Sequence, residues 1–148
     1  MNIELSNLTD SNCDLARLKS LAHFTILAQG AHPDSELSIS LLDEEEMSAL
    51  HLRWMNEDGP TDVLSFPMDE VQPNSAALGP AMLGDIALCP SYAKQNAQKV
   101  NSSLQDELEL LTVHGVLHLL GYDHLEADEK EVMFTLQDRY LTEWRVKR

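Results

Sequence analysis

Three histidines toward the carboxyl end of the chain have the type and spacing of a metal site. They stand in the run His114-Gly-Val-Leu-His118-Leu-Leu-Gly121-Tyr-Asp-His124. On a helix, His114 and His118 lie one turn apart, so both imidazoles project from the same face. Gly121 suits the left-handed residue that ends a helix, after which the chain can return His124 toward the other two rings. Three neutral imidazoles with a zinc-bound water in the fourth position describe a catalytic zinc site.

The same histidine spacing occurs in the metzincin proteases, which read H-E-x-x-H-x-x-G-x-x-H. Their glutamate is the general base, and Gly115 occupies that position here. A peptidase with this sequence would lack a proton acceptor whose contribution is about 10²- to 10⁴-fold. A structural zinc is a second alternative, but such a site more often has a fourth Cys or His ligand. Here only Asp123 or a remote residue is available for that position.

The composition predicts one globular domain. The chain has 148 residues, 43% of them hydrophobic, which is enough to bury a core. A net charge of −15 argues against a broad basic surface for nucleic acid. Cys13 and Cys89 are too few for a disulfide framework. The sequence has neither an apolar run of membrane-spanning length nor a signal-peptide pattern, so we expect a cytoplasmic protein.

Hydrophobic periodicity predicts a mixture of strands and helices. The expected strands cover 1–8, 37–42, 61–67 and 82–89, and the expected helices cover 14–28, 43–54, 91–100, 104–120 and 127–144. Segment 69–81 has no period and is expected to be a flexible surface loop, and 145–148 is expected to be a frayed basic tail. These elements predict a single α+β domain over residues 1–148. Its small mixed four-stranded sheet is packed with about five helices, and the histidine-bearing helix is central.

Several local signals sharpen these elements. Asp43 and Ser103 are predicted to be helix N-caps, and Pro67 indicates that its strand lies at an edge of the sheet. The last helix is expected to bury one apolar stripe, formed by Val132, Met133, Leu136, Tyr140 and Trp144.

With these residues the chain resembles the YbeY family. The members of this family are bacterial metal-dependent endoribonucleases that act in ribosomal RNA maturation. The matching stretches are the histidine run, Pro60-Thr-Asp-Val-Leu-Ser-Phe-Pro67 and Leu83-Gly-Asp-Ile86, in the family's order. The resemblance spans nearly the whole chain. It implies one zinc ion per chain, held by His114, His118 and His124, and single-stranded RNA as the substrate. It also implies processing of the 3′ end of small-subunit ribosomal RNA and ribosome quality control, with the small ribosomal subunit and proteins on it as partners.

One departure from the family concerns a cation. Many family members carry an arginine shortly before the Pro-Thr-Asp stretch, and this chain has Met55 there. The nearest cation is Arg53, which is a candidate for phosphate binding or an ordinary exposed helix residue. Asp123 and Glu126 flank His124 and are candidates to orient an imidazole, to accept a proton or to cap the next helix. Asp62 and Asp85 are expected to be structural hydrogen-bonding residues; Thr61 and Ser65 are placed to line the cleft.

The chemistry of RNA suits a site without an obvious general base. Zinc polarises a phosphoryl oxygen or lowers the pKa of its water toward about 7. RNA also brings its own 2′-hydroxyl as a nucleophile, so a missing protein base costs less than in a peptidase. Three hypotheses therefore stand: a zinc endoribonuclease, a metal hydrolase of another class such as a peptidase, and a non-enzymatic ribosome-associated module with structural zinc. Three imidazoles also suit nickel or copper.

Overall fold

The computed structural model describes residues 2–147. In it, segments with alternating apolar residues form four strands, and segments with helical periodicity form five α-helices. In chain order the elements are β1 (Asn2–Asn7), α1 (Leu15–Ala28), β2 (Glu36–Leu41), α2 (Glu44–Met55), β3 (Val63–Pro67), β4 (Met82–Leu88), α3 (Pro90–Lys99), α4 (Leu104–Leu119) and α5 (Ala127–Val146). Each predicted strand and helix is present, with small differences at the ends. Residue 1 of the predicted first strand and residue 148 of the predicted tail lie outside the described residues.

The four strands form one mixed sheet in the order β1-β2-β4-β3. β1 pairs with β2 and β2 pairs with β4 in parallel, whereas β3 pairs with β4 in antiparallel. The α+β fold and the mixed sheet are therefore confirmed. β3 lies at the edge, as its closing Pro67 predicts, because a proline cannot donate to a second neighbouring strand.

The helix that carries His114 and His118 is central, as predicted. α4 contacts α1, α3 and α5 and also packs on β3 and β4. One face of the sheet supplies the opposing side of the core, where Leu37, Ile39 and Leu41 of β2 are buried. Because α4 is enclosed on most sides, tertiary packing fixes its axis and therefore the direction in which its side chains point.

Gly84 allows β3 to approach β4 closely. Its φ of +139° lies in a region that other residues rarely adopt, and an added Cβ would lie 2.1 Å from the carbonyl oxygen of Phe66. The parallel pairing of β2 with β4 also shifts register between Glu36 and Leu37, beside this glycine. The motif Leu83-Gly-Asp-Ile86 therefore allows the edge strand β3 to pack closely against β4.

The predicted helix caps are confirmed. Asp43 accepts a hydrogen bond from the backbone N–H of Glu46, and Ser103 accepts one from that of Asp106. Both bonds satisfy amide groups that a helix N-terminus leaves without an internal partner.

Two predictions about the last helix are wrong. Val132 is 53% exposed, whereas Gln137 and Leu141 are buried in the stripe that contacts the core. The helix also continues through Val146, so the expected tail 145–148 begins inside it. Arg145 is held there because its guanidinium hydrogen-bonds to the buried carboxylate of Glu109.

Segment 69–81 is anchored to its surroundings at several points. It contains a short 3-10 helix, Ala76–Leu78, and the side chain of Val71 is buried in the core. The backbone N–H of Asn74 donates to the carbonyl of Gln29 at 2.8 Å. The flexibility expected of this segment stays a prediction, as does the assignment of residues 1–148 to one domain.

Within residues 2–147, no helix combines the length and apolar character that crossing a membrane requires.

Candidate metal centre

The structure brings the three predicted histidines together. One nitrogen from each of His114, His118 and His124 lies within 4.8 Å of the others. The ring centroids of His114 and His118 are 4.6 Å apart, and that of His124 lies 5.4 and 5.2 Å from them. The spacing along α4 and the return of the chain after it therefore produce the convergence that the sequence predicts. That these rings hold a metal stays a prediction at this point.

A defined turn at the end of α4 returns the chain toward the helix. Gly121 has φ +96°, its N–H donates to His118 O, and the N–H of Tyr122 donates to Leu117 O. These two bonds form a Schellman motif, in which a left-handed glycine closes the helix. The predicted role of Gly121 is confirmed, and the turn brings His124 back beside the last two turns of α4.

Hydrogen bonds fix the orientation of two of the rings. Nδ1 of His114 lies 2.5 Å from Oε1 of Gln137, a buried residue of α5. An amide oxygen only accepts, so Nδ1 carries the proton and Nε2 keeps its lone pair. The ring of His118 hydrogen-bonds to the backbone of Tyr122 in a way that raises its pKa, which indicates a carbonyl acceptor. Both rings thus have one nitrogen engaged and the other free to act as a ligand.

The surroundings keep these rings neutral. Burial lowers the pKa of His118 to about 4, and the neighbouring rings of His114 and His124 add to the shift. Burial also lowers the pKa of His114, against the opposing effect of its hydrogen bond to Gln137. Neutral imidazoles are the form that binds metals, so neither ring needs to lose a proton at neutral pH before it can act as a ligand.

The histidines form one wall of a pocket of about 420 Å³, which we call the histidine pocket. The opposite wall is the segment Thr61–Ser65 with Pro67, and Met55 closes one side. Thr61 and Ser65 therefore line the cleft, as the sequence suggests. Among the described residues that line this pocket, none is a lysine or an arginine.

Asp62 has the structural role expected of it. Its Oδ1 accepts the backbone N–H of Val63 at 2.8 Å, and its Oδ2 accepts from the Asn96 amide at 3.1 Å. On the other side of Asn96, burial and then the charge of Asp62 raise the pKa of Glu107, while Asn96 opposes the shift through a hydrogen bond. These contacts fix the start of β3 against α3 and α4.

The other candidate residues do not line the histidine pocket. Arg53 does not line the histidine pocket but a neighbouring groove, where its guanidinium lies 5.2 Å from the ring centroid of Trp54. Asp123 accepts the backbone N–H of His124 at 2.7 Å, so it holds the chain that carries the third ring. Glu126 is the N-cap residue of α5, but its side chain makes no capping hydrogen bond. Asp85 lines the same groove as Arg53.

Gly115, the position of the metzincin glutamate, faces away from the histidine pocket. An added Cβ would lie 2.9 Å from Cδ1 of Ile86 on β4, and the glycine does not line the pocket. The glycine permits the close contact of α4 with the sheet. A side chain at this position would meet the core, so the missing base of the peptidase alternative reflects how the helix packs.

Gln137 is the residue of the site that sequence reasoning missed. It stands 23 positions after His114 on another helix. The available signal was the spacing of Gln137, four residues after Met133 and three before Tyr140, two members of the predicted buried stripe, because a buried amide requires hydrogen-bond partners.

Comparisons with known proteins agree with the sequence motifs. The family model described as endoribonuclease YbeY matches residues 5–145. A relative from Acidothermus cellulolyticus with that name is 53% identical, over 100% of this chain and 94% of its own length. Another from Mycolicibacterium smegmatis is 54% identical over 97% of this chain and 83% of its own length. The solution structure of a protein from Thermotoga maritima matches with a TM-score of 0.67 and 29% identity, covering 98% of this chain and 93% of that one.

Proposed function

Because this chain belongs to the YbeY family of endoribonucleases, we propose that it is a metal-dependent endoribonuclease that cleaves single-stranded RNA. The convergence of His114, His118 and His124 on one point supports the proposal that the enzyme depends on a metal. The family match over residues 5–145 carries the RNA part.

The donor set fits one zinc ion per chain. Three neutral imidazole nitrogens are ligands that zinc accepts in catalytic sites, and among residues 2–147 no fourth Cys, Asp, Glu or His joins the group. An open position favours an enzyme over a closed structural site. When bound, zinc would supply a Lewis acid for a phosphoryl oxygen and a lowered pKa for water.

The protein's own residues orient this centre. Gln137 holds the tautomer of His114, the backbone of Tyr122 holds His118, and Asp123 holds the backbone of His124. We assign Asp123 a positioning role, because its carboxylate accepts a backbone N–H. Arg53 receives no role in the histidine pocket, since it lines the neighbouring groove.

We propose that the substrate in the cell is ribosomal RNA, at the 3′ end of the small-subunit RNA, and that the protein also serves ribosome quality control. The resemblance of the histidine run and of the stretch Pro60–Pro67 to the family supports this assignment. The small ribosomal subunit and proteins bound to it are the corresponding partners, and the cytoplasm is the corresponding location.

The test uses protein stripped of metal and then supplied with zinc. The reloaded protein should cleave a single-stranded RNA of defined sequence, and His114→Ala should abolish cleavage. His23→Ala is a matched control, because His23 is exposed on α1 and lies outside the histidine pocket. RNA cleavage that persists in His114→Ala would identify a contaminating nuclease. Zinc-dependent cutting of a protein with RNA left intact would instead establish the peptidase alternative, and loss of folding on chelation without any hydrolysis would establish the structural one.

A second experiment tests the ribosomal substrate. Cells that lack the protein should accumulate small-subunit RNA with an unprocessed 3′ end. The wild-type chain should restore processing and His114→Ala should not. Normal 3′ ends in the deficient cells would contradict the assignment to this RNA without affecting the cleavage assay.

A further inference from the structure

A second concave surface lies on the face of the sheet opposite α4. This groove has a volume of about 650 Å³, within the usual range for small-molecule sites of about 300–1,000 Å³. The sheet contributes its floor and α2 contributes one wall. We call it the α2 groove. Its lining combines aliphatic side chains with the aromatic rings of Trp54 and Phe66 and with the polar residues Ser38, Ser40, Glu46, Arg53 and Asp85.

The α2 groove adjoins the histidine pocket around the edge strand. Pro67, the last residue of β3, lines both cavities. The consecutive residues Trp54 and Met55, at the end of α2, line one cavity each. An extended RNA chain that passes through the histidine pocket therefore reaches the groove by crossing β3, which is the edge of the sheet in the described part of the protein.

The groove presents aromatic surface to solvent. Trp54 is 58% exposed, and its ring meets that of Phe66 edge-on at a centroid distance of 6.2 Å. Arg53 lies against the same indole, with its guanidinium carbon 5.2 Å from the ring centroid. Exposed aromatic rings and guanidinium planes are the surfaces on which proteins stack the bases of single-stranded RNA.

The charges of the groove favour contacts with bases over contacts with phosphates. Among the described residues that line it, one is a cation, Arg53, and two are carboxylates, Glu46 and Asp85. The chain as a whole has a net charge of −15. A phosphate backbone is repelled by such a surface, whereas the amino groups of adenine, cytosine and guanine are donors that carboxylates and hydroxyls accept.

We propose that the α2 groove binds bases of the single-stranded RNA substrate, beside the phosphodiester that lies in the histidine pocket. This inference rests on the proposed function. It explains how an acidic chain with Met55 in place of a cation holds a polyanion: the bases supply the contacts and the phosphates largely remain in solvent.

Fluorescence of the metal-free wild-type chain tests the proposal without cleavage. The chain has two tryptophans, and Trp144 is only 2% exposed, so quenching by a bound base reports on Trp54. A short oligoadenylate should quench the emission. An oligomer of the same length with abasic sugars should bind at least about fivefold more weakly, since stacking contributes about 1–3 kcal/mol per base.

Substitutions separate the groove from the rest of α2. Trp54→Ala should weaken oligoadenylate binding by about 5- to 100-fold, measured by anisotropy of a labelled strand, and Trp54→Phe should retain most of the affinity. Leu52→Ala is the matched control, because Leu52 is 52% exposed on the same helix but lines neither cavity. Binding should also depend weakly on salt, with a log–log slope smaller in magnitude than about 1, since each neutralised phosphate contributes about 0.7 for single strands.

Equal binding of the abasic strand, a steep salt slope or equal affinities of Trp54→Ala and Leu52→Ala would each overturn the proposal. If RNA is cleaved with zinc but no oligonucleotide quenches Trp54, the groove is not an RNA site and is left for a protein partner, while the proposed function stands. If quenching depends on Trp54 but RNA is never cleaved, the nuclease assignment fails and the groove assignment stands.

Discussion

The two halves of α4 each contain polar groups in the interior of the protein. The two sets of groups differ in whether all of their hydrogen-bonding capacity is used within the fold. In the first half, Glu109 is fully buried, and Arg17, Gln105 and Arg145 donate hydrogen bonds to its carboxylate. In the second half, His114 and His118 each have one ring nitrogen engaged, and their remaining lone pairs converge with that of His124.

This difference separates a structural cluster from the proposed metal site on the same helix. The carboxylate of Glu109 is surrounded by donors from α1, α4 and α5, so its bonding capacity is used within the fold. The histidines are oriented by neighbours that leave their ligand nitrogens available. A polar group whose partners are all internal contributes to stability, whereas oriented groups with unused lone pairs are prepared to bind something from outside.

His118→Ala should have the largest effect and should act on function alone. Removing one of the three proposed ligands should lower zinc-dependent RNA cleavage at least about 1,000-fold, a barrier increase of about 4 kcal/mol. The free energy of unfolding of the metal-free chain should change by less than about 1 kcal/mol, because the ring is only half-buried. Cleavage rates and urea unfolding measure the two quantities. A comparable loss of stability would erase the distinction between the two halves of the helix.

Glu109→Ala should have the converse effect. It removes the acceptor shared by Arg17 and Arg145, and breaking a buried ion pair costs about 3–5 kcal/mol. The lower end applies, since both arginines are more than a third exposed and regain water. Zinc affinity should stay within about twofold of wild type.

Glu143→Ala is the control for that substitution, because Glu143 pairs with Arg139 at the surface and should cost less than about 1 kcal/mol. Chemical denaturation and chelator competition provide the measurements. A weaker zinc site in Glu109→Ala at full folding would mean that the two halves are coupled.

Gln137→Leu should lower zinc affinity by about 10- to 100-fold, the usual effect of removing the hydrogen-bond partner of a metal-binding histidine. Gln137→Glu keeps an acceptor and should retain most of the affinity. Nitrogen NMR of the metal-free chain should find His114 protonated at Nδ1 in wild type and a mixture of tautomers in Gln137→Leu.

Gln29→Leu is the matched control, since Gln29 is equally buried at 5% exposure but bonds to Tyr140 instead of a histidine. If both leucine variants lose the same affinity, Gln137 acts through packing and does not position the ring.

The remaining difference between the two clusters is the pH dependence of stability in the metal-free chain. The pKa of His118 falls from an ordinary 6.5 to about 4 on folding, so between these values the unfolded chain binds more protons. Stability should therefore decline as the pH falls from about 6.5 toward 4, and His118→Ala should reduce this slope.

The Glu109 carboxylate acts in a lower range. Burial alone raises its pKa, but hydrogen bonds from Arg17, Gln105 and Arg145 outweigh burial and hold the pKa below the ordinary 4.5. Its contribution is present above 4.5 and is lost as the pH falls through the folded value. Thermal unfolding at several pH values should show that His118→Ala and Glu109→Ala change the stability over different pH ranges. If both substitutions changed it over the same range, the two clusters would not be distinct.

Local sequence was sufficient where a few adjacent residues determine the geometry. His114, His118 and Gly121 belong to one helix and its terminating turn, so their spacing fixed the convergence with His124. Pro67 predicted an edge strand for the same reason, because its missing N–H acts at its own position.

The sequence was insufficient where one helix meets another. The contact of Gln137 with His114 depends on how α5 rotates against α4, which also decides that Val132 is exposed. The position of Arg53 also depends on packing, because the rotation of α2 on the sheet places Arg53 in the α2 groove and Met55 at the histidine pocket.

The contact between Gly115 and Ile86 limits what this helix can become by mutation. Peptidases with the same histidine spacing carry their glutamate at this position. Here both Gly115 and Ile86 are buried, and a Cβ on the glycine would already crowd three atoms of the isoleucine side chain. A single Gly115→Glu substitution would direct the new side chain at the buried Ile86, so a glutamate at this position would require the isoleucine side chain to shift. The packing of Gly115 against Ile86 therefore separates this site from peptidases that share its histidine spacing.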